Sequence, residues 1–401
     1  MSEVVSIPQL RFPEFRDEWR VDKFVDLCKF QQGVQVDVEL QSTEPKNNFL
    51  RFLRIENYTQ KSNDFRYIPK ELSSNKSITE NEIAIVRYGA TAGYIGRGLK
   101  GVLANNLFKL VLNKDTLDTD YLFHLLRSYK TFCFFQSEMS GGAMPALSFG
   151  IVGALKLPYS SISEQQKIAA FLTAVDTKIE QLSKKKELLG EYKKGLMQKI
   201  FSQAIRFKAD DGSDFPDWEE KRLEDVAEIV GGGTPPTAVE KYWNGNIQWF
   251  TPTEIKSKYI VNSKRTITQV GLDTSSAKLL PKGTLLFSSR ATVGEVGIAV
   301  QECTTNQGFQ SFIVNKNNDS EFLYNWIIKN KKEFIRRASG STFLEIGKSE
   351  IKKIKLHIPA LPEQTKIANF LSSVDNKIEQ VGKQLDESKQ FKKALLQQMF
   401  V

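Results

Sequence analysis

The sequence predicts an α+β protein built by tandem duplication, in which two mixed α/β globular regions are each followed by a long helix. The segment EQQKIAAFLTAVDTKIEQ at 164–181 returns as EQTKIANFLSSVDNKIEQ at 363–380, a shift of 199 positions (164 to 363). Trp19 and Trp218 are separated by the same shift, so the duplication includes the globular regions as well as the helices. We therefore divide the chain into two globular regions and two helices, at 1–160, 161–205, 206–360 and 361–401.

The composition indicates a cytoplasmic protein with a polyanionic partner. The chain has 401 residues, 40% of them hydrophobic, which suffices for the cores of two or three domains. Its formal net charge of +9 favours nucleic acid as the partner. No apolar run reaches the length of a membrane span, and the N-terminal segment does not read as a signal peptide. The three cysteines are too far apart for a disulfide framework or a Cys-x-x-Cys metal site.

Both repeated helices carry apolar residues at heptad spacing. Steps of four and three residues place these side chains on one narrow stripe, which is the pattern of a coiled-coil seam. A helix of roughly 38 residues is about 57 Å long, and so narrow a stripe needs a partner along its length. Each helix is the obvious partner of the other; the alternative is that each helix packs on its own globular region. The seam residues are Ile168, Leu172, Val175, Ile179 and Leu182 in the first helix and Ile367, Leu371, Val374, Ile378 and Val381 in the second.

The two globular regions share an order of elements. Each has an apolar strand that ends at an arginine, a turn that contains glycine, and a further apolar strand preceded by side-chain amides. The sequence register matches Arg87 with Arg290, and the pair Asn105-Asn106 with the pair Asn306-Gln307. The same order in both regions predicts one shared fold.

The regions differ outside this skeleton. A helical patch follows in each, at 121–135 and at 322–335. The second region carries Gly-Gly-Gly-Thr-Pro-Pro at 231–236, for which we find no counterpart in the first. Two similar helices attached to divergent regions indicate a fixed scaffold that presents two different binding surfaces.

No catalytic or metal-binding motif emerges from the sequence. His124 and His357 are the two histidines, and each is best explained by a structural role. The segment 340–349 resembles a phosphate loop but has Thr342 where that loop requires glycine. The Pro235-Pro236 pair lacks the preceding Asn or Asp of a base-flipping methyltransferase motif. We therefore predict no catalytic residue and no metal ligand.

Polar and basic residues in the glycine-bearing loops are the candidates for DNA contact. Arginine binds guanine bidentately, Asn and Gln bind adenine in the same way, and lysine holds phosphates. The candidates in the first region are Lys46, Arg51, Arg54, Asn57, Arg87, Tyr88, Thr91, Tyr94, Asn105 and Asn106. Those in the second are Thr234, Lys241, Thr251, Lys256, Arg290, Thr292, Asn306, Gln307, Ser341 and Thr342.

With these residues in place, the whole chain resembles the DNA specificity subunit of Type I restriction-modification enzymes. Both helices carry the signature Glu-Gln-x-Lys-Ile-Ala-x-Phe-Leu-x-x-Val-Asp-x-Lys-Ile-Glu. The second half adds Gly-Gly-Thr-Pro at 232–235 and Thr-Asn-Gln-Gly-Phe at 305–309. The first half departs from these two strings, which indicates a more divergent class of recognition domain.

The resemblance implies a non-enzymatic subunit whose two globular regions are target-recognition domains, each reading one half of a bipartite site in double-stranded DNA. It implies that the two helices pair as an antiparallel coiled coil with the domains in pseudo-twofold relation. The coiled coil would set the spacer and dock two methylation subunits, and through them the restriction subunits. No cofactor would be bound by this chain, because S-adenosylmethionine, ATP and Mg belong to the partner subunits. We expect no membrane contact.

Two alternatives stay open at this point. One is a stand-alone methyltransferase or nuclease, which the missing motifs disfavour. The other is a coiled-coil adaptor that makes no DNA contact. Duplex binding that weakens steeply with salt would exclude the adaptor, because phosphate contacts depend strongly on ionic strength.

Overall fold

A computed structural model describes residues 8–74, 76–139, 145–340 and 344–400 of the chain. The chain divides into two compact units, the first comprising 1–184 with 382–401 and the second 185–381. Each unit contains one globular region, which we call head one (8–160) or head two (206–360). Each unit also contains the first part of one long helix and the last part of the other.

Head one consists of short strands, short helices and the start of the first long helix. The strands are β1 Arg20–Lys23, β2 Cys28–Gln32, β3 Phe49–Leu53, β4 Arg66–Pro69, β5 Ser77–Ile78, β6 Ala84–Val86, β7 Ile95–Gly96, β8 Gly101–Leu103, β9 Leu107–Leu112 and β10 Lys156–Tyr159. The helices are α1 Phe24–Leu27, α2 Ile55–Thr59, α3 Thr119–Leu126, α4 Tyr129–Met139, α5 Phe149–Ala154 and the long α6 Ile162–Phe201.

Head one contains two sheets and a two-stranded ribbon. The second strand of the ribbon, β10, ends just before the long helix in the sequence. The sheets have the orders β2-β9-β6-β7 and β4-β3-β8-β5, and β1 pairs with β10 in the ribbon. The strands of the first sheet pair antiparallel, whereas β3 and β8 pair parallel. The loop between β8 and β9 contains the two candidate amide residues Asn105 and Asn106. Because β8 and β9 belong to different sheets, this loop lies at the border between the sheets.

Head two repeats most of this plan. Its strands are β11 Glu219–Arg222, β12 Ala227–Gly231, β13 Trp243–Phe250, β14 Tyr259–Ile260, β15 Arg265–Ile267, β16 Leu285–Phe287, β17 Val296–Ala299, β18 Cys303–Thr305, β19 Gln310–Val314 and β20 Lys355–Ile358. Its helices are α7 Leu223–Val226, α8 Gln269–Asp273, α9 Ser320–Lys329, α10 Lys331–Arg337, α11 Lys348–Lys352 and the long α12 Leu361–Met399.

The sheets of head two share most of the order seen in head one, except that β14 is added to the first sheet and no strand of the second takes the place of β5. They run β12-β19-β16-β17-β14 and β15-β13-β18, with β11 and β20 as the ribbon. The parallel pair β13 and β18 occupies the place of β3 and β8. The shared strand order confirms the mixed α/β duplication. Each helical patch predicted from the sequence is two helices, because the chain turns at Arg127-Ser128 in head one and at Asn330 in head two.

The start of α6 is anchored in head one by the repeated Glu-Gln pair. Glu164 is fully buried and accepts hydrogen bonds from the Arg11 guanidinium at 2.7 and 2.8 Å and from the Trp19 indole at 3.4 Å. The hydrogen bond to Glu164 raises the pKa of Arg11 above its ordinary value. Gln165 accepts from the backbone N–H of Asp118, the residue that caps α3. A buried charge is tolerated only when it is paired, and here the pair fixes the helix to the head.

The start of α12 repeats the same anchor in head two. Glu363 is fully buried and accepts from the Arg206 guanidinium at 2.8 Å and from the Trp218 indole at 3.2 Å. Gln364 accepts from the backbone N–H of Asp319, which caps α9. The residues that are identical between the two helix copies therefore include those that hold each helix to its head.

The end of the other long helix completes each unit's core. In the first unit, Ile168 and Leu172 lie in one apolar cluster with Leu395 and Met399 of α12. In the second, Ile367 and Leu371 share a cluster with Met197 and Ile200 of α6. The first two seam positions of each helix are thus head-core residues as well. Of the remaining seam residues, Leu182, Val374 and Val381 are buried, and Val175, Ile179 and Ile378 are half-buried.

Each unit also contains an ion pair between the two long helices. Lys392 Nζ lies 2.5 Å from Asp176 Oδ1 in the first unit, and Lys193 Nζ lies 2.6 Å from Asp375 Oδ1 in the second. Both aspartates belong to the repeated Val-Asp of the helix signature. These contacts explain why that aspartate is present in both copies.

Candidate nucleic-acid interface

Four loop segments meet at one edge of head one, and we call them the loop edge of head one. Arg87 is its hub, because its N–H donates to the carbonyl of Asn106 at 2.8 Å and its carbonyl accepts from the N–H of Leu147 at 2.8 Å. The N–H of Gly89 donates to the carbonyl of Pro145 at 3.0 Å. The segments are 33–35, 87–89, 105–107 and 145–147.

Head two assembles the matching loop edge with the same backbone hydrogen bonds. The N–H of Ser289 donates to the carbonyl of Gly308 at 2.8 Å, and the carbonyl of Ser289 accepts from the N–H of Ile346 at 3.0 Å. The segments of this edge are 232–234, 289–291, 307–309 and 344–346.

A glycine is required where the first loop segment crosses the strand end. A Cβ on Gly33 would lie 2.2 Å from the carbonyl oxygens of Leu103 and Ala104. A Cβ on Gly232 would lie 2.0 Å from the carbonyl oxygen of Asn306. Any side chain at either position would force the backbone apart. Head one lacks the glycine run of head two as a string, but Gly33 occupies the position of Gly232, the one glycine that this crossing requires.

The structure also shifts the match between the two heads by one residue. Ser289, and not Arg290, makes the hydrogen bonds that correspond to those of Arg87. Tyr88 forms an isolated antiparallel β-bridge with Ala146, and Arg290 forms one with Glu345. Tyr88 and Arg290 are therefore the equivalent pair. The turn is one residue longer in head one, since Val86 donates to Tyr94 (86 to 94) where Ser288 donates to Glu295 (288 to 295).

The amide residues shift in the same way. Asn105 corresponds to Gln307, because the strand residues before them, Leu103 and Thr305, hold equivalent positions in β8 and β18. The Asn105 side chain donates to Oε1 of Gln35 at 2.8 Å, and the Thr234 hydroxyl donates to Oε1 of Gln307 at 2.5 Å. Each loop edge thus presents an amide that a second polar side chain orients.

The adjacent amides have structural roles instead. Asn306 accepts from the N–H of Gly308 at 2.9 Å and so shapes its own turn. Asn106 supplies the carbonyl that binds Arg87, and its Oδ1 is buried without a hydrogen-bond partner among the described residues.

The two candidate arginines differ in their electrostatic surroundings. The Arg87 guanidinium stacks between the rings of Tyr88 and Phe149, at 4.9 and 4.8 Å. Within the described ranges it makes no ion pair, and its Nε is buried without an acceptor. Arg290 is exposed and pairs with Glu345 at 2.8 Å. Head one therefore holds an uncompensated arginine at its loop edge, whereas head two holds a neutralised one.

The other candidates of head one divide into exposed and structural residues. Arg51 is exposed and stacks on Phe65 at 4.2 Å, and Lys46 lies 5.5 Å from the ring of Phe49. Arg54 pairs with Glu56 at 2.8 Å and with Asp64 at 3.3 Å, so its charge is balanced.

Asn57 has a structural role in the described residues. It is buried, and its amide nitrogen donates to the carbonyls of Ser62 and Asp64 while its oxygen accepts from the N–H of Arg54. All of its groups are engaged in closing the loop after α2. Thr91 and Tyr94, by contrast, are exposed in the turn between β6 and β7.

In head two, Thr251 is a capping residue, because its hydroxyl donates to Glu254 at 2.7 Å and its N–H donates to the same carboxylate. Lys241 and Lys256 are exposed. Thr292 is exposed, and its hydroxyl lies 2.9 Å from that of Ser288. The candidates Ser341 and Thr342 lie outside the described residues.

Sequence reasoning missed two polar residues. Gln35 orients Asn105, and its place two residues after Gly33 mirrors that of Thr234 after Gly232, which was the available signal. Arg265 is exposed on β15 and stacks 3.5 Å from the ring of Trp243. Its alternation with apolar Ile267 was the signal for an outward-facing cation.

The described ranges contain no group of three or more His, Cys, Asp or Glu residues that could hold a metal ion. Burial raises the pKa of the Cys28 and Cys303 thiols to about 12, which keeps both protonated. Among the described helices, none combines the length and the apolar character that crossing a bilayer requires.

The curated relatives of this chain are specificity subunits. The MjaIX specificity subunit of Methanocaldococcus jannaschii is 39% identical over 191 residues, an alignment that covers 46% of this chain and 44% of that protein. The MjaVIII specificity subunit of the same organism is 27% identical, over 96% of this chain and 92% of that protein. The chain thus spans less than half of the first relative and nearly all of the second.

Solved structures share the fold. The S subunit of a Type I restriction-modification system from M. genitalium aligns with a TM-score of 0.63 and 17% identity, covering 99% of each chain. A chain from a study of complex assembly and conformational transition of the Type I system aligns with a TM-score of 0.57 and 18% identity, covering 95% of this chain and 97% of that one. The family model described as the Type I restriction modification DNA specificity domain matches residues 16–190 and again 216–388. The two matches cover most of both halves, and the chain belongs to this family.

Proposed function

We propose that this chain is the DNA-recognition subunit of a Type I restriction-modification complex and that each head reads one half of a bipartite site. The observation that carries the proposal is a shared backbone frame with different side chains at equivalent positions. Tyr88 in head one corresponds to Arg290 in head two, and Arg87 corresponds to Ser289. Base edges are distinguished by donors and acceptors on side chains, so two such surfaces suit two different half-sites.

We further propose that α6 and α12 pair as an antiparallel coiled coil that sets the spacer. The pairs Asp176–Lys392 and Lys193–Asp375 support this arrangement. They match the start of one helix with the end of the other, as an antiparallel pair requires. A pseudo-twofold relation of the heads follows from the same register.

The proposed partners are two methylation subunits, bound on the long helices, and restriction subunits bound through them. Tyr192 on α6 and Phe391 on α12 stand at matched positions of the repeat and are 54% and 53% exposed. Exposed aromatic side chains on an otherwise polar helix are typical of contact sites. We propose that the chain itself is non-catalytic and that S-adenosylmethionine, ATP and Mg are bound by the partner subunits.

A modified-base map of host DNA, recorded with and without the gene, tests the recognition role. We expect one split, asymmetric motif to lose its methylation when the gene is removed. An unchanged map in cells that also express the methylation subunits would refute the proposal.

Insertion of seven residues into both long helices tests the spacer. The insertions belong between Asp176 and Lys193 in α6 and between Asp375 and Lys392 in α12, because both ion pairs are then retained. Seven residues lengthen a helix by about 10 Å, which is about three base pairs at roughly 3.4 Å each. We expect the gap to grow by that amount while the bases read at each end stay the same. Insertion of four residues in both helices is the control, since it breaks the heptad phase. A fixed gap in a folded seven-residue variant would refute the spacer role.

A further inference from the structure

Head one contains a half-open cavity of about 240 Å³ between the loop after α2, strand β7 and helix α3. Four aromatic residues and three cationic residues are among those that line it. The cavity is smaller than the roughly 300–1,000 Å³ of drug-sized ligand sites, so it suits a ligand built on a single ring system.

A buried tyrosine forms part of the wall of this cavity. Tyr58 is 5% exposed, and its OH finds no hydrogen-bond partner among the described residues. Its ring packs against Gly96, where a Cβ would lie 2.5 Å from the Tyr58 Cδ1. Burial, with a smaller contribution from the charge of Glu82, raises the pKa of Tyr58 above its ordinary value, so the hydroxyl remains a donor. The hydroxyl is enclosed, so Tyr58 contributes a wall of the cavity and not a polar contact.

The cations at the cavity are held by stacking. Arg97 and Arg127 lie over the ring of Phe123 at 4.4 and 4.9 Å. Arg97 also pairs with Asp120, and Arg127 lies 3.8 Å from Asp176. Lys61 is exposed and makes no ion pair within the described part of the chain. Arg97 and Arg127 are each paired with a carboxylate, so Lys61 is the lining cation whose charge stays unbalanced within the described residues.

We propose that this cavity binds one nucleotide unit, with its base stacked on Tyr94 and its phosphate beside Lys61 and Arg97. Tyr94 is 41% exposed, which leaves ring surface for stacking. Bases stack on aromatic side chains with little sequence preference, and arginine and lysine bind phosphate.

The site belongs to head one alone. The strand register places Glu295 at the position of Tyr94 and Ile298 at the position of Arg97. The capping aspartates of α3 and α9 likewise align Arg127 with Ile328. Head two therefore has a carboxylate in place of the stacking ring and lacks both arginines.

The nucleotide unit has two possible sources, a free nucleotide or an unstacked nucleotide of bound DNA. 2-Aminopurine riboside 5′-monophosphate, titrated into the full chain and followed by fluorescence, probes the first source. A duplex with the recognition site and 2-aminopurine at successive positions probes the second, which rests on the proposed function. Saturable quenching of the free probe assigns the free nucleotide. In the duplex, an extruded base stays quenched by Tyr94, so a rise in fluorescence at one position with Tyr94→Ala and none with the wild type assigns the DNA.

Two variants and one control test the site. Tyr94→Ala should weaken the responding probe about tenfold, because the stacking surface is lost. Lys61→Ala should weaken it as well, because the phosphate loses an exposed cation, but should not lower the melting temperature, since Lys61 makes no ion pair within the described residues. Tyr129→Ala is the matched control, because Tyr129 is 63% exposed in the same head but does not line the cavity. Absence of both signals, or wild-type affinity in both Tyr94→Ala and Lys61→Ala, overturns the proposal. The methylation motif is scored separately, so failure here is distinct from failure of DNA recognition.

Discussion

The helix anchors can be tested by neutralising Glu164 and Glu363 one at a time. Glu→Gln keeps the shape of the side chain and an oxygen that accepts from the Trp19 or Trp218 indole. It removes the negative charge, and so the ion pair with Arg11 or Arg206. Loss of one partner from a buried ion pair costs about 3–5 kcal/mol.

The two substitutions should differ in magnitude. The Arg11 side chain is 11% exposed, whereas that of Arg206 is 26% exposed and can turn more easily to water. We expect Glu164→Gln to cost about 3 kcal/mol and Glu363→Gln to cost less, about 2 kcal/mol. Each loss should be confined to its own unit, because each carboxylate is bound within one unit.

Hydrogen exchange followed by mass spectrometry resolves the two units. Peptides from the start of α6 report on the Glu164 anchor, and peptides from the start of α12 report on the Glu363 anchor. The free energy of opening should fall in the peptides of the substituted unit and hold in the other, so each variant is the control for its counterpart. A change below about 0.5 kcal/mol in both variants, or equal losses in both units, would refute the anchoring role.

Three further predictions follow from single sites. Gly232→Ala should destabilise head two by at least about 2 kcal/mol, since the new Cβ would lie 2.0 Å from a backbone oxygen. Its control is Gly190→Ala, in open space on α6, which should stabilise the protein by about 0.5–1 kcal/mol in chemical denaturation. Burial lowers the pKa of His124 to about 4 from 6.5. Between pH 6.5 and pH 4 the free energy of unfolding of the wild type should therefore fall by about 3 kcal/mol relative to that of His124→Asn, a variant that carries the residue found at the equivalent position, Asn325. An equal pH dependence of the two proteins in chemical denaturation would contradict this. Arg290→Ala should relax one half-site by about 1–3 kcal/mol in a binding assay with variant duplexes, and an equal loss on all sequences would mean a phosphate contact.

The direction of the His124 effect follows from proton binding. The unfolded chain protonates its histidine near pH 6.5, whereas the folded chain resists protonation until about pH 4. The unfolded state therefore binds more protons between these values, and stability falls as the pH falls. Above pH 6.5 both states are neutral at this site, and the two proteins should differ by a constant amount.

The sequence predicted the duplication and the long helices because those features recur as strings. It could not predict the match between the loop edges. Arg87 and Arg290 are the same residue type at nearly the same place, yet the longer turn of head one moves Arg87 to the position of Ser289. Gly33 was missed because it is a single glycine, whereas the glycine that makes the same close crossing in head two is one of a run of three.

Some candidate residues also have polar side chains that bind the backbone of their own turns. Asn57, Thr251 and Asn306 carry the kinds of polar group that bind DNA bases, but these groups form hydrogen bonds within their own turns. Spacing alone does not separate the two uses, because Asx and Thr residues are favoured in turns for the same polar groups that bind bases. Only the location of the acceptor distinguishes them.

The pattern of repetition itself separates scaffold from recognition. The glutamate and aspartate of the helix signature, at 164 and 176 and again at 363 and 375, contact a head or the other long helix. Each head needs a buried tryptophan and a helix-capping aspartate to receive the anchor, and both heads have them. The loop edge is bound to the rest of the head mainly by backbone groups, with glycine at the crossing. Its side chains can therefore differ without disturbing the anchor, which is why the heads diverge where the helices do not.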